Sequence, residues 1–270
     1  MSAGPYKIGY FDEAYNDTRF ILGGWVFVSV AAADGCARDF SAECARYPIN
    51  PDFHMQPARD ALSEQWDWGQ DCALTVAEKF IARDRRFVAL LECVLRHNPT
   101  GFYVVLDRGA YDAIYRGKVP KSRDSEYFVL FYYLLFSIAR HYAEAGVAQS
   151  LQPVFDMQDE FSPLVARWFN KVIFALAVRH PQAATVLSLP PRFEHDSTTP
   201  PLKAADMLTW LVLRLQTNKL GDATIKLLLD RIMEHGGKAR FVDAKILTEF
   251  RALQRQDRTA LAPGELLAPL

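Results

Sequence analysis

The fold is decided near the start of the chain by residues 6–17, YKIGYFDEAYND, and by the apolar run FILGGWVFV at 20–28. The link between them, EAYNDT, is rich in turn-forming residues, so the two runs predict a hairpin of strands at about 6–12 and 19–30. The first strand then ends on a pair of carboxylates, Asp12 and Glu13. Because the strand is otherwise apolar, the question is which group compensates these two negative charges.

Strand and helix patterns alternate after the hairpin. Strand patterns fall at about 101–107, 152–158 and 184–196, and helix patterns at about 73–97, 125–145, 162–180, 200–217, 223–235 and 243–256. This order predicts an α/β fold with a mixed sheet, helices on both faces, and extra helices at the C-terminal end. We expect one domain over residues 1–256, with an irregular insertion around 46–71, and a loosely ordered tail at 257–270.

Composition gives little information about the class of partner. The 31 Lys and Arg residues almost balance 32 Asp and Glu residues, so the net charge gives no signal for nucleic acid or an anionic membrane. A polyanion would have to be held by a local basic patch or by metal ions. The longest apolar run, residues 127–138, is shorter than the roughly 20 residues that span a bilayer. Four cysteines without CxxC spacing indicate reduced thiols and a cytoplasmic protein.

Three aspartates stand where local structure does not explain them. Asp12 is expected to end the first strand, Asp156 to end the fourth, and Asp206 to lie inside the helix PPLKAADMLTWLVLRL, on its apolar face. A carboxylate on an apolar face is costly unless it is paired or bound to a cation. Because hard divalent cations take oxygen ligands, the pattern indicates a Mg²⁺ or Mn²⁺ site.

Structural explanations compete with this one for several acids. Glu13 follows Asp12 directly, so strand alternation points it to the opposite face of the sheet. Asp156 could cap a strand or turn, and Asp107 fits such a role well. Glu126 falls in a first helical turn, where the helix dipole stabilises it. Asp196 or Ser197 could be the N-cap of the helix that follows, or Asp196 could be a ligand.

The segment 108–123 is basic and contains Arg116, Lys118 and Lys121. It could hold a phosphate backbone, and a solvated run of charges is an equally good interpretation. Trp66 and Trp68 could stack on bases or pack against the body of the protein. His54 and His195 are isolated histidines, a pattern more typical of core or surface groups than of catalysts.

A family resemblance supports the metal interpretation. The motifs that carry it are IGYFDEAYND followed by FILGGWVFV, then PVFDMQDE, then FEHDSTTPPLKAADMLTWLV. In this order over residues 6–216 they resemble the family called domain of unknown function 3800, whose members have a ribonuclease-H-like fold. The resemblance implies that the first and fourth strands and a late helix bring Asp12, Asp156 and Asp206 to one metal site, with Glu13 as a supporting ligand.

The chain departs from the family pattern at two places. Ala14-Tyr15 replaces a Ser-Gly pair, and Lys203 stands where a glutamine is expected. Lys203 lies three residues before Asp206 on one helical face, so it could contact the scissile phosphate, or pair with Asp206 in place of a metal.

The leading hypothesis is therefore a metal-dependent nuclease that acts on DNA or RNA. Asp12, Asp156 and Asp206 are its expected catalytic residues, and Lys203, Arg116, Lys118 and Lys121 would bind the substrate. The rival is a non-catalytic binding or assembly module with the same fold, in which the apolar helix at 127–138 packs against a partner chain or a second copy. A metal hydrolase acting on a small phosphorylated molecule is a third hypothesis.

Overall fold

Six strands form one mixed sheet in the structure, a computed structural model that describes residues 6–46, 54–55, 61–62, 66, 68, 73–147, 149–157, 161–217 and 223–260. The strands are β1 Tyr6–Tyr15, β2 Arg19–Phe27, β3 Thr100–Asp107, β4 Ser150–Asp156, β5 Arg192–Glu194 and β6 Lys238–Val242. Their order is β5-β4-β1-β2-β3-β6. The β1/β2 and β2/β3 pairs are antiparallel, and β1/β4, β4/β5 and β3/β6 are parallel.

Nine α-helices within the described residues surround this sheet. They are α1 Val30–Arg46, α2 Val76–Leu95, α3 Arg108–Ile114, α4 Glu126–Glu144, α5 Ser162–Arg179, α6 Pro181–Val186, α7 Pro200–Gln216, α8 Ala223–Glu234 and α9 Ala244–Ala260. A short 3₁₀ turn, Lys121–Arg123, precedes α4. The predicted α/β class, with helices around a mixed sheet, is confirmed.

The sheet separates two apolar cores. Alternation along β1 sends Ile8 and Tyr10 into the core formed with α1, α2, α7 and α8, and sends Phe11 into the core formed with α4, α5, α6 and α9. The apolar run 127–138 belongs to α4, and most of its side chains are buried in the second core. The rival hypothesis thus loses one support, because this helix already buries its apolar surface within its own chain.

The hairpin is longer than the sequence indicates. The β1/β2 register continues from Ile8 opposite Phe27 to Tyr15 opposite Phe20. Asp12 therefore lies inside β1, and the prediction that it ends the strand is wrong. The turn forms only at Asn16, whose Oδ1 accepts hydrogen bonds from the amides of Thr18 and Arg19 at 2.9 and 2.8 Å. This side chain closes the turn, so the acidic residues Asp12 and Glu13 can remain in the ladder.

Four further elements differ from the sequence prediction. Helix α1 occupies residues predicted to have no element, and α3 forms inside the basic segment 108–123, which also had no predicted helix or strand. The strand predicted at 184–196 is reduced to β5, because α6 occupies its first residues up to Val186. A short strand, β6, lies between the last two helices and pairs with β3.

Most of the insertion expected around 46–71 and of the tail expected at 257–270 lies outside the described residues, although α9 continues to Ala260. Cys36, Cys44 and Cys93 are buried free thiols, and Cys72 is outside the described residues. Across the described part of the chain, none of the helices combines the length and apolar character needed to cross a membrane.

Candidate acidic site

Strand direction gathers acidic residues at one edge of the sheet. Strands β4, β1 and β3 all point the same way, since β1 is parallel to β4 and both β1 and β3 are antiparallel to β2. The last parallel pair of β1 and β4 is Phe11 with Phe155, so Asp12 and Asp156 are the next residues on adjacent strands. Both alternate with residues of the second core, and therefore lie on the α7 face.

Helix α7 brings the third aspartate to the same face. It packs against β1 and β2, and the Trp25 indole N–H on β2 donates a 2.8 Å hydrogen bond to the carbonyl of Ala204. Asp206 lies two residues further along this helix. Its Oδ2 accepts a 2.9 Å hydrogen bond from the amide of Met55.

Burial raises the pKa of all three aspartates, and the charges of the other two act on Asp12. Burial raises the pKa of Asp12 well above its usual range, and the charges of Asp206, Glu13 and Asp156 raise it further. Burial raises the pKa of Asp206 to about 6. Burial also raises the pKa of Asp156, with the charge of Asp196 as the next cause. The predicted trio of Asp12, Asp156 and Asp206 is thus brought together by two strands and one helix.

Glu13 interacts with these aspartates from the opposite face of β1, and we call Asp12, Glu13, Asp156 and Asp206 the acidic cluster. Burial, with the charges of Asp156 and Asp206, raises its pKa to about 8. Glu13 alternates with Asp12 and shares the face of Phe11, as strand geometry predicts. On that face its charge is the largest electrostatic cause, after burial, of the raised pKa of Tyr127.

Asp196 lies beside the acidic cluster. Its amide donates to Oδ1 of Asp156 at 3.2 Å, and its Oδ2 lies 3.5 Å from Nδ1 of His54. The N-cap of α7 is Thr199, so neither Asp196 nor Ser197 has the capping role considered above. The sequence signal for Asp196 was its place just after β5, at the edge where β4 ends.

Lys203 is buried on α7, with 5% of its surface exposed. Its charge lowers the pKa of Asp206, although the Met55 amide and His54 lower that pKa more. Among the charges that act on the pKa of Cys44 in α1, the charge of Lys203 has the largest effect. Lys203 therefore offsets part of the negative charge near Asp206, whereas on the α1 side burial raises the pKa of Cys44 to about 12 and leaves its thiol neutral.

The basic segment lies at the same edge as the acids. Nη1 of Arg108 donates to the carbonyl of Asn16, just past the end of β1, at 2.7 Å. Arg116 pairs with Asp112 at 2.5 Å and approaches Glu126 at 3.6 Å. The Lys118 ammonium donates to the carbonyl of Ala113, and Lys121 begins the 3₁₀ turn.

The acids with a structural explanation have structural roles. Asp107 is the N-cap of α3, where Oδ1 accepts from the amide of Ala110 at 2.9 Å, and it pairs with Arg19. Glu126 pairs with Arg108 at 2.9 Å. Asp124 does not cap α4, because Ser125 is its N-cap residue, and Asp124 accepts instead from the Tyr111 hydroxyl.

The two tryptophans also have structural roles. Trp66 and Trp68 are both buried, with ring centroids 5.5 Å apart. The indole N–H of Trp68 donates to the carbonyl of Ala61. They pack against the body of the protein, one of the two interpretations that the sequence left open.

The chemistry of the acidic cluster suits a hard divalent cation. Carboxylates from separate elements supply oxygen donors, and their mutual repulsion is what a cation relieves. As the side chains stand, no group of three or more His, Cys, Asp or Glu side chains in the described ranges is arranged to hold a metal ion. Coordination by the cluster would therefore require the carboxylates to move toward a common centre.

Comparisons with family models, with curated proteins and with solved structures found no match to this chain.

Proposed function

We propose that this protein is a metal-dependent phosphodiester hydrolase, a nuclease. The single observation that carries the proposal is that β1, β4 and α7 place Asp12, Asp156 and Asp206 on one side of the sheet, where burial and then neighbouring charges raise the pKa of Asp12 well above its usual range. Buried carboxylates that repel one another destabilise a fold, and a bound cation offsets that repulsion.

A ribonuclease-H-like core is part of the proposal. The resemblance implies neighbouring first and fourth strands and a late helix that share one site, and β1, β4 and α7 are arranged in this way. The sheet is mixed, with an antiparallel hairpin beside parallel strands. This agreement supports the finer fold assignment.

In the proposed mechanism, Asp12, Asp156 and Asp206 hold Mg²⁺ or Mn²⁺, with Glu13 and Asp196 beside them. The bound cation supplies an activated water and neutralises charge on the phosphate. The chain's own residues would position the substrate: Arg116, Lys118 and Lys121 lie on the basic segment that follows β3, and Arg108 at its start contacts Asn16 just past β1. Contacts from that segment would orient a phosphodiester against the acidic edge.

Cleavage assays on single- and double-stranded DNA and RNA, with Mn²⁺ or Mg²⁺ and with EDTA, test the proposal. Asp12→Asn and Asp206→Asn keep side-chain size and remove one charge each, and we expect each to lower the cleavage rate at least about 100-fold. Asp230→Asn is the matched control, because Asp230 is exposed on α8 and pairs with Lys226. Residual activity equal in wild type and Asp206→Asn would sink the assignment.

A non-catalytic binding module is the second candidate, and the buried Lys203 favours it. Its positive charge lowers the pKa of Asp206, as expected where a lysine replaces a metal. Calorimetric titration with Mn²⁺ separates the two candidates. Binding that disappears in Asp12→Asn and Asp206→Asn supports the metal site, and heat changes that are identical in wild type and both variants support the binding module.

A further inference from the structure

Three cations lie together on the face of the sheet that carries α4, α5 and α9. Arg123 ends the 3₁₀ turn before α4, and Arg167 and Lys171 lie one turn apart on α5. The indole N–H of Trp168 donates to the carbonyl of Ser122 at 2.9 Å. This bond fixes the turn against α5, and so places Arg123 beside the two helical cations. We call Arg123, Arg167 and Lys171 the cation cluster.

The charges of the cation cluster repel one another. Burial lowers the pKa of Lys171 below its usual value of 10.5, and the charges of Arg123 and Arg167 lower it further. Among the described residues, no carboxylate pairs with Arg123, Arg167 or Lys171. The side-chain partner of Arg123 is neutral, since its Nη1 lies 3.4 Å from Oε1 of Gln254.

A small cleft opens beside the cluster. Arg123 and Lys171 line it with Gln254, and the rings of Phe128, Tyr132 and Phe250 contribute apolar walls. Its volume of about 40 Å³ exceeds the roughly 10–15 Å³ that one water needs, so an oxygen atom of a phosphate group can enter it. The apolar walls also strengthen attraction between the cations and an anion.

We propose that the cation cluster binds a phosphate group of a single nucleic-acid strand, at a contact separate from the acidic cluster. The segment that ends at Arg123 begins at Arg108, which bonds to Asn16 at the end of β1. The segment thus starts beside the end of β1 and ends at the cation cluster. The choice of a nucleic-acid strand rests on the proposed function, whereas preference for phosphate rests on the uncompensated cations.

Fluorescence anisotropy with a labelled single-stranded oligonucleotide in EDTA tests the contact. Without metal the acidic cluster repels phosphate, so binding then reports basic contacts. We expect the double variant Arg167→Gln/Lys171→Gln to bind several-fold more weakly than wild type at low salt. The slope of log affinity against log salt should become shallower by about 0.7 for each phosphate that the variant no longer neutralises.

The matched control is Lys79→Gln/Lys245→Gln, which removes the same charge from α2 and from the start of α9. Equal affinities and salt slopes for the two double variants would overturn the proposal. Inorganic phosphate that binds the wild type while the oligonucleotide does not would overturn the choice of a strand. Because Arg167 and Lys171 are exposed and removing them relieves repulsion, the variant should melt no lower than wild type.

The two proposals fail in different measurements. Suppose that the double variant binds the oligonucleotide in EDTA more weakly than its control and that the wild type does not cleave in Mn²⁺. That result contradicts the nuclease and supports the cation cluster. Metal-dependent cleavage that is unaffected by the double variant, with unchanged binding in EDTA, contradicts the cluster and leaves the acidic site intact.

Discussion

At the scale of single residues, burial and like charge turn ordinary carboxylates into groups that resist ionisation. Glu13 has a pKa of about 8 instead of the usual 4.5, because it is buried and faces the charges of Asp156 and Asp206. Asp107, at the end of β3, instead caps α3 and pairs with Arg19. Glu13 and Asp107 are both acids that follow an apolar run. The sequence therefore distinguishes them only by the other acidic residues that accompany each one.

The pH dependence of stability follows from the raised pKa of Glu13. Between pH 4.5 and about 8 the folded protein keeps a proton that the unfolded chain releases, so the unfolding free energy of the metal-free protein falls as pH rises. The glutamine of Glu13→Gln cannot ionise, so the unfolding free energy of this variant should fall less over the same window than that of the wild type. The difference between the two falls should exceed about 1 kcal/mol. Urea denaturation in EDTA at pH 5, 6.5 and 8 measures the difference.

The control for this experiment is Glu144→Gln, which removes an exposed acid paired with Arg140. Its pH profile should follow that of the wild type. Parallel profiles for wild type and Glu13→Gln would contradict a raised pKa at position 13.

At the scale of elements, the acidic site depends on how α7 crosses the hairpin. The Trp25 indole bond to Ala204 ties the strand to the helix two residues before Asp206. The hairpin itself is tightly packed, because a Cβ at Gly24 would lie 1.8 Å from the carbonyl oxygen of Tyr10. The position of Asp206 relative to Asp12 is thus set by backbone contacts.

Trp25→Phe should displace this crossing. The substitution leaves the carbonyl of Ala204 without its side-chain donor and removes part of a fully buried ring, so we expect a loss of about 2–4 kcal/mol of unfolding free energy. We also expect weaker Mn²⁺ binding, measured by calorimetry. The comparison is Trp68→Phe, which removes an indole bond to Ala61 and should lower stability without weakening metal binding. Equal loss of metal affinity in both variants would contradict a specific role for Trp25.

Elements with strong periodicity were predictable and weakly patterned ones were not. The hairpin, α4 and α7 have clear apolar patterns, and sequence analysis located all three. Helix α1 has alanines, a glycine and only a few large apolar residues, so its helical pattern is weak until α2 and α7 pack against it. Strand β6 has polar and exposed residues at the edge of the sheet, and pairing with β3 stabilises it.

The candidate site was predictable in its members more than in its geometry. Asp12 and Asp156 were singled out by their expected strand-end positions, Asp206 by its place on an apolar helix face, and Glu13 by the family resemblance. The charges of Asp206, Glu13 and Asp156 all act on Asp12. The part played by Asp196 depends on β5 pairing with β4, which three residues of strand do not reveal in the sequence. The cation cluster depends on the Trp168 bond to Ser122, which joins distant segments of the chain.

At the scale of the whole molecule, the proposed cation, once bound, would add to the stability of the fold. A ligand that binds only the folded state at 100 times its dissociation constant adds about 2.7 kcal/mol. We expect Mn²⁺ at pH 8 to raise the melting temperature by several degrees over the value in EDTA. The increase should shrink at pH 5, where protons compete for the carboxylates.

Thermal melts of wild type, Asp12→Asn and Asp230→Asn check this expectation. Asp12→Asn should melt higher than wild type in EDTA at pH 8, because it removes repulsion, and should gain little from Mn²⁺. Asp230→Asn should behave as the wild type does. A Mn²⁺ gain of the same size in all three proteins would contradict binding at the acidic cluster.

Under the proposed function, the Met55 amide bond to Asp206 would couple metal occupancy to a residue remote in the sequence. An oxygen that accepts this hydrogen bond presents a reduced lone-pair density to a cation, so the amide and the ion compete for it. Loading the site would then release the Met55 N–H and speed its exchange with deuterated solvent, while amides of β1 slow down. A backbone amide at position 55 would in this way serve as an internal reporter of the charge state of the cluster, readable without any substrate.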